Sequence, residues 1–324
     1  MSEFWEGRKV FITGCSGLIG SWLTKSLIEK GAEVTGLVRD FVPNSNFNKL
    51  GLDKKINIVN GDIQDINTVR RAMGEYHTDT VFHLAAQPLV QLAFKDPVST
   101  FKANIEGTWN ILDSCRKLDI NRVILASSDK AYGTHEKLPY DETFALNGRF
   151  PYDATKTCAD VLAQTYFNTY GLPIGITRCG NIFGGGDLNF DRIIPETIKN
   201  LIHDKNPVIR SDGQFIREFF YVKDVADAYT TLAENLHKDG VKGEAFNFGS
   251  EEPIKIIDLV NKIIEVSGKT NLQPEILNKA KAEIVAQYLT SEKAKRVLNW
   301  EPKYNLDKGL KETYEWYNQF FNKA

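Results

Sequence analysis

Thr13-Gly14-Cys15-Ser16-Gly17-Leu18-Ile19-Gly20 is a glycine-rich turn between a short apolar run and a segment whose apolar residues recur at helical spacing. Gly14 and Gly17 allow a tight turn that brings the backbone close to a ligand, and Gly20 lets a helix pack closely on a sheet. The first turn of such a helix offers free N–H groups and a positive dipole end to an anion. A turn without a ligand would need the same glycines, but this position in the chain favours a pyrophosphate site.

The apolar runs of the first half predict six strands. They are Lys9–Thr13, Glu33–Val38, Ile56–Val59, Thr80–Ala85, Arg122–Ala126 and Pro173–Thr177. Because the runs are apolar throughout and helix-length segments separate them, they indicate an α/β fold with a parallel sheet covered on both faces. Right-handed crossovers then give a doubly wound, Rossmann-type sheet. We predict a dinucleotide-binding domain over 1–178 and a smaller substrate-binding region over 179–324, in which Glu218–Val222 could return to the first sheet.

The composition excludes several classes of protein. The chain has 324 residues, 42% of them hydrophobic and 25% charged, with a formal net charge of -2. These values are typical of a globular protein, and the near-zero charge argues against a nucleic-acid partner. No apolar run approaches the ~20 residues of a membrane span. The four cysteines form no CxxC pair, and no metal site is predicted. Together with a start that lacks the features of a secretory signal, reduced thiols favour a cytoplasmic protein.

Two positions bear on the choice of cofactor. Asp62 follows the third strand, where it could bind an adenine edge or simply form a turn. Val38 occupies the end of the second strand, where an acid would bind a ribose 2'-hydroxyl, and Arg39 follows it. An arginine there accommodates a 2'-phosphate, which favours NADP over NAD. The alternative is that Arg39 is a solvated residue paired with Asp40.

A second motif predicts acid–base chemistry. Tyr152 and Lys156 are four residues apart, so on a helix they share a face. A nearby ammonium stabilises a phenolate and would lower the pKa of the tyrosine, while the same lysine could hold the nicotinamide ribose. Ser128 and Asp129 directly follow the fifth strand, at the edge of a parallel sheet where ligands bind. Ser128 could bind the hydroxyl that Tyr152 deprotonates, and Asp129 could act as a general acid.

With these motifs in place, the chain resembles an extended short-chain dehydrogenase/reductase of the nucleotide-sugar epimerase/dehydratase branch. The resemblance covers nearly the whole length. Its further motifs are His83-Leu84-Ala85-Ala86-Gln87, Asn104-Ile105-Glu106-Gly107-Thr108, Arg178-Cys179-Gly180-Asn181, Arg217-Glu218-Phe219-Phe220-Tyr221-Val222 and Leu298-Asn299-Trp300-Glu301-Pro302. Within the branch, Ser128-Asp129-Lys130 and Gly184-Gly185-Gly186-Asp187 are most similar to CDP-glucose 4,6-dehydratases, whereas the region of Arg39 looks like GDP-mannose 4,6-dehydratases.

The resemblance implies an internal redox cycle that yields a 4-keto-6-deoxy sugar nucleotide. Tyr152 would take the C4 hydroxyl proton, and Asp129 would protonate the departing C6 hydroxyl. Lys130 would be either the base at C5, if its pKa were lowered, or an ion-pair partner that tunes Asp129. A 4-epimerase or reductase would need Tyr152 and Lys156 but no acid for water loss. A dinucleotide-binding protein without catalysis would often lack the tyrosine–lysine pair.

The predicted ligands follow from the same motifs. A tightly bound, recycled NADP or NAD is expected to contact Thr13, Gly14, Ser16, Gly17, Leu18, Ile19, Gly20, Arg39, Asp62, Ile63, Leu84, Ala85, Ala86, Gln87, Asn104, Tyr152, Lys156 and Cys179. The nucleotide sugar is expected to contact Gln87, Ser128, Asn181, Arg192 and Arg217, because arginine suits a diphosphate. The resemblance also implies a homodimer that pairs through helices around 98–118 and 152–170. Trp109 on the first of these could be an interface or a core residue.

Overall fold

Seven parallel strands form the central sheet of the computed structural model, which describes residues 3–279 and 284–322. In chain order the strands of the described residues are β1 (Lys9–Thr13), β2 (Glu33–Val38), β3 (Asn57–Asn60), β4 (Thr80–His83), β5 (Arg122–Ala126), β6 (Ile174–Cys179), β7 (Asn181–Phe183), β8 (Val208–Ile209), β9 (Ile216–Arg217), β10 (Phe219–Tyr221), β11 (Ala245–Phe248), β12 (Ile254–Lys255), β13 (Glu275–Ile276) and β14 (Ala286–Gln287). The central sheet has the order β11-β6-β5-β4-β1-β2-β3. This order confirms the predicted doubly wound α/β fold.

Helices cover both faces of this sheet. In chain order the helices of the described residues are α1 (Leu18–Glu29), α2 (Asn46–Lys49), α3 (Ile66–Glu75), α4 (Val90–Lys95), α5 (Pro97–Phe101), α6 (Gly107–Lys117), α7 (Pro151–Tyr170), α8 (Ile193–Ile202), α9 (Val222–Asn235), α10 (Ile256–Ser267), α11 (Glu292–Leu298) and α12 (Leu306–Asn322). Successive strand residues point to opposite faces, so Val10 packs with α1 and α9 while Phe11 packs with α3 and α6. Each face of the sheet therefore has its own apolar core. No helix of the described ranges is both long and apolar enough to span a membrane.

The sequence interpretation placed the first, second and fifth strands correctly and differs elsewhere at the ends. β3 lies one residue later than predicted, β4 ends at His83, and β6 runs on to Cys179. The strand that returns from the second half is Ala245–Phe248, which pairs with β6. The segment considered for that role instead forms β10, which pairs with β7 outside the central sheet. Both segments are short and apolar, and hydropathy does not encode which neighbour a strand pairs with.

The second half also builds a separate core on short strands and helices. Helices α8, α10 and α12 bury Ile198, Ile263 and Tyr317 against one another. Three small sheets stand beside them, made of β7 with β10, of β12, β9 and β14, and of β8 with β13. The division into 1–178 and 179–324 stays a prediction.

Candidate active site

A cavity of about 860 Å³ opens where the carboxyl ends of the central strands meet the second half of the chain. Such an edge is the usual ligand address of an open parallel sheet. Most of the predicted site residues line it: Gly14, Ser16, Gly17, Leu18, Ile19, Gly20, Arg39, Asp62, Ile63, Leu84, Ala85, Ala86, Ser128, Asp129, Lys130, Tyr152, Lys156, Cys179, Asn181, Arg192 and Arg217. The fold thus brings into one cavity motifs that lie far apart in the chain.

Three predicted contacts, Thr13, Gln87 and Asn104, are not among the described residues that line the cavity. The Thr13 hydroxyl accepts the backbone N–H groups of Leu84 and Ala85, each at 3.2 Å. The Asn104 side chain is buried; it accepts from the Gln87 backbone N–H at 2.7 Å and donates to the Gln87 carbonyl oxygen at 3.1 Å. These contacts place the segment after β4 against the cavity. Their hydrogen bonds assign them a supporting position, and direct ligand contacts of the three stay predictions.

The glycine-rich turn has the shape that a diphosphate requires. Gly14 has a φ of +74°, and a Cβ there would lie 2.9 Å from the backbone nitrogen of Ala85. A Cβ on Gly20 would collide with the carbonyl oxygen of Gly14. Gly17 is the N-cap of α1 and has no side chain to cap the first turn of the helix. The backbone N–H groups of that first turn are therefore available to an anion at the cavity. The residues present therefore fit a dinucleotide pyrophosphate.

The two residues that bear on the adenosine half are placed at the cavity but are also engaged locally. Asp62 accepts the backbone N–H of Gln64 at 2.9 Å, which is an Asx turn. Arg39 forms an ion pair with Asp40 at 2.7 Å, and both side chains are 63% exposed. Asp62 thus forms a turn and Arg39 forms an ion pair, which were the alternatives to ligand binding, and both residues also line the cavity. The preference for NADP over NAD stays a prediction.

Tyr152 and Lys156 lie one turn apart at the start of α7. Pro151 occupies the first turn of this helix, which proline tolerates because its missing N–H has no partner there. The Lys156 Nζ donates to the carbonyl oxygen of Ala126 at 2.9 Å and lies 6.0 Å from the centroid of the Tyr152 ring. Burial lowers the pKa of Lys156 to about 8, although Asp160 opposes the shift.

The pKa of Tyr152 differs from the sequence expectation. Burial raises this pKa above the ordinary value, while the charge of Arg192 and a hydrogen bond with Ser128 act in the opposite direction. The expected lowering by Lys156 does not govern the tyrosine here, because removing a phenolate from water costs more than the surrounding charges return. His83, below the same site, has its pKa lowered to about 3 by burial and by Lys156. It is a neutral packing residue that contacts Thr13 and Thr108.

Asp129 and Lys130 begin a short 3-10 turn, Asp129–Tyr132, that Ser128 caps. Asp129 is only 2% exposed; one of its oxygens accepts from the Ser128 hydroxyl at 3.0 Å and the other from Lys130 Nζ at 3.2 Å. Lys130 Nζ also donates to the side-chain oxygen of Gln287. The lysine is thus held between an acid and an amide.

Three of the predicted substrate residues come from the second half of the chain and also line the cavity. Arg192, the N-cap of α8, pairs with the buried Asp187 at 2.9 Å. Asn181 donates to the carbonyl oxygen of Glu218 at 3.1 Å, and Arg217 donates to that of Ile216 at 2.9 Å. Two basic side chains of the second half, Arg192 and Arg217, therefore line the cavity, where an anionic substrate would complement them.

Sequence reasoning missed two residues beside the acid. Gln287 lies on a strand of two residues and has no motif around it. Asp153 follows Tyr152 and is 6% exposed. Burial raises its pKa to about 6, with Lys130 lowering and Asp129 raising it. Its place beside the tyrosine could have drawn notice, but only the folded chain brings it near Asp129 and Lys130.

Known proteins of two activities are similar to this chain. A family model described as GDP-mannose 4,6 dehydratase matches residues 11–313. A CDP-glucose 4,6-dehydratase from Salmonella typhimurium is 32% identical over 97% of this chain and 92% of its own length. The structure of a UDP-glucose 4-epimerase from Thermotoga maritima with UDP-glucose has a TM-score of 0.88 at 26% identity, covering 97% of this chain and 100% of that one. A dTDP-glucose 4,6-dehydratase from Streptomyces venezuelae with NAD bound has a TM-score of 0.85 at 25% identity, covering 96% and 97%.

Proposed function

Because the chain belongs to the GDP-mannose 4,6-dehydratase family, in agreement with its resemblance to the nucleotide-sugar epimerase/dehydratase branch, we propose that it is a nucleotide-sugar 4,6-dehydratase. It converts an NDP-hexose, preferably CDP-glucose, to the NDP-4-keto-6-deoxyhexose. The observation that carries the proposal is the buried carboxyl of Asp129 at the cavity that also holds Tyr152 and Lys156. Water loss needs an acid in addition to the tyrosine, and Asp129 is a group of that kind. The CDP-glucose relative supports the choice of nucleotide.

Each catalytic residue has a separate role in this reaction. Tyr152 accepts the proton of the C4 hydroxyl as a phenolate, which the charges of Lys156 and of a bound oxidised nicotinamide would stabilise against the effect of burial. Ser128 hydrogen-bonds the same oxygen. A bound oxidised nicotinamide dinucleotide supplies the hydride acceptor for C4 and the hydride donor for C6, so it is unchanged overall. With a ketone at C4, the C5 proton is acidic and passes to a base. Asp129 protonates the C6 hydroxyl, which leaves as water, and C5 regains a proton when C6 is reduced.

Holding both ligands in one cavity is what makes a recycled hydride practicable. The glycine-rich turn and Lys156 line the same cavity as Arg192 and Arg217. Sugar and cofactor then keep their relative positions between the first and the second hydride transfer. The cofactor is NADP or NAD, tightly bound: Arg39 supports NADP, while the NAD held by the Streptomyces enzyme supports NAD.

The second candidate is a nucleotide-sugar 4-epimerase, which the Thermotoga structure favours. An epimerase needs the tyrosine and the lysine but no acid for a leaving hydroxyl. The pair of Asp129 and Lys130 at the cavity speaks against it.

The test is a set of parallel incubations of the purified protein with CDP-glucose, GDP-mannose, UDP-glucose and dTDP-glucose. Mass spectrometry reads the loss of one water, and chromatography reads isomers of unchanged mass. Water loss from CDP-glucose is the expected result. An isomeric product without water loss would establish the epimerase instead. Tyr152→Phe serves as the control, because it should abolish either reaction.

The predicted homodimer fits a surface on one side of the molecule. Large apolar side chains are exposed on or beside α4, α5, α6 and α7: Phe94, Val98, Phe101, Trp109, Phe150 and Val161. A single surface with this many exposed apolar groups favours association. Trp109 is 43% exposed, which supports the interface over the core as its place. Sedimentation should give a dimer for the native chain and a monomer for Trp109→Glu. The predicted cytoplasmic location and the absence of a nucleic-acid partner stay predictions.

A further inference from the structure

Gln287 lies far along the chain from the catalytic motifs. The two ends of its amide nevertheless contact Lys130 and Asp129, which are neighbours in the chain. Its oxygen accepts from Lys130 Nζ, and its nitrogen donates to the backbone carbonyl oxygen of Asp129 at 3.4 Å. Gln287 is 1% exposed, so bulk water cannot replace either contact. A buried amide with both ends engaged holds its partners in fixed positions.

The contact with Lys130 has a chemical consequence. An amide oxygen only accepts hydrogen bonds, and the Asp129 carboxylate, 3.2 Å from the same Nζ, also accepts. Nζ therefore donates to both groups, and its contact with the carboxylate is an ion pair. The backbone N–H of Lys130 is held as well, by the Ser128 hydroxyl at 3.3 Å. Lys130 is therefore arranged as a donor rather than as a proton acceptor.

The strand that carries Gln287 also pairs with the strand that carries Arg217. β14 pairs in parallel with β9, and the register places Gln287 beside Arg217. Arg217 lines the cavity on the substrate side. The position of Lys130 thus depends on the strand pair that would bind the substrate diphosphate.

We propose that Gln287 is a positioning residue that holds Lys130 as a cation against Asp129. In this arrangement Lys130 orients Asp129, which is a carboxylate at rest and takes up a proton before it protonates the C6 hydroxyl, and Lys130 is not the base at C5. The proposal rests on the proposed dehydratase function, but the contact that underlies it can be measured without any substrate.

The experiment compares the full-length protein with Gln287→Met, Gln287→Glu and the control Tyr288→Phe. Tyr288 follows Gln287 directly and is half-buried. The first readout is acetylation of Lys130 by acetic anhydride, measured by peptide mass spectrometry relative to the exposed Lys137. The second readout uses CDP-glucose: water loss by mass spectrometry, and C4 oxidation by the absorbance of the reduced nicotinamide.

In Gln287→Met, acetylation of Lys130 should rise severalfold, because Nζ loses an acceptor. The kcat for water loss should fall on the order of 10- to 100-fold, the cost of a misplaced catalytic group, while KM and C4 oxidation change by less than about threefold. Gln287→Glu keeps an acceptor for Nζ and should restore protection of Lys130 and part of the water loss. Tyr288→Phe should match the native protein in both readouts.

Unchanged acetylation of Lys130 in Gln287→Met would overturn the proposal, as would a variant whose only change is in KM. If Gln287→Met fails to fold, Gln287→Glu decides, because full exposure of Lys130 in that variant would equally contradict the proposed contact. If the native protein removes no water from any sugar nucleotide, the proposed function fails, and acetylation alone then shows whether Gln287 holds Lys130.

Discussion

Replacing Lys156 by methionine should stabilise the protein at neutral pH while abolishing turnover. The buried ammonium has its pKa lowered from 10.5 to about 8. At about 1.4 kcal/mol per pH unit, this corresponds to about 3 kcal/mol of destabilisation while the lysine is charged in both the folded and the unfolded state. Methionine has a similar length and pays no such desolvation cost. It leaves the carbonyl oxygen of Ala126 without its donor, which costs about 1–2 kcal/mol.

The net expectation is a gain of about 1–2 kcal/mol in the free energy of unfolding. The gain should depend on pH with a definite sign. Below pH 8 the native protein carries the full cost. Between the folded pKa of about 8 and the unfolded value of 10.5, folded Lys156 releases its proton first, so the native protein recovers stability as the pH rises. The advantage of the variant should therefore shrink across this window.

Urea unfolding of protein freed of nucleotide, at a series of pH values, measures this difference. Lys137→Met is the matched control, because Lys137 is exposed and its replacement should change stability by less than about 0.5 kcal/mol at any pH. A Lys156→Met variant that is less stable than the native protein at neutral pH would refute the reasoning. So would an advantage that stays constant as the pH rises through the window.

Three further outcomes are expected. Asp129→Asn should lower the rate of water loss by about 100-fold or more, the usual contribution of a positioned acid, while the nicotinamide is still reduced by substrate in a stopped-flow trace. Arg39→Ala should weaken NADP binding at least about tenfold and leave NAD binding unchanged by calorimetry, since only the 2'-phosphate contacts the guanidinium. Asp153 has its pKa raised to about 6, so the native protein should lose stability as the pH rises from the unfolded pKa of 3.8 through 6. Asp153→Asn should remove this loss. The urea midpoints of the two proteins should therefore agree near pH 4 and diverge at pH 7.

The central sheet was largely predictable because its strands are buried on both faces. Such strands have continuous apolar runs, as in Val10 to Ile12, and the pattern is visible without knowledge of their neighbours. The glycine-rich turn and the pair of Tyr152 and Lys156 were visible for a related reason. Their chemistry requires residues at short, fixed spacings along one chain segment, so the motif carries the geometry with it.

The return of Ala245–Phe248 to the central sheet and the position of Gln287 depend on contacts between distant segments. Hydropathy shows that a short strand is buried but not which strand it joins, and the sequence interpretation therefore considered Glu218–Val222 for this role and missed Ala245–Phe248. Likewise, the sequence around a lysine that follows a strand does not show whether its ammonium group has hydrogen-bond partners. Only the packing of β14 against β9 brings the amide of Gln287 to Lys130, because hydrogen-bond partners more than a hundred residues apart leave no local periodicity in the sequence.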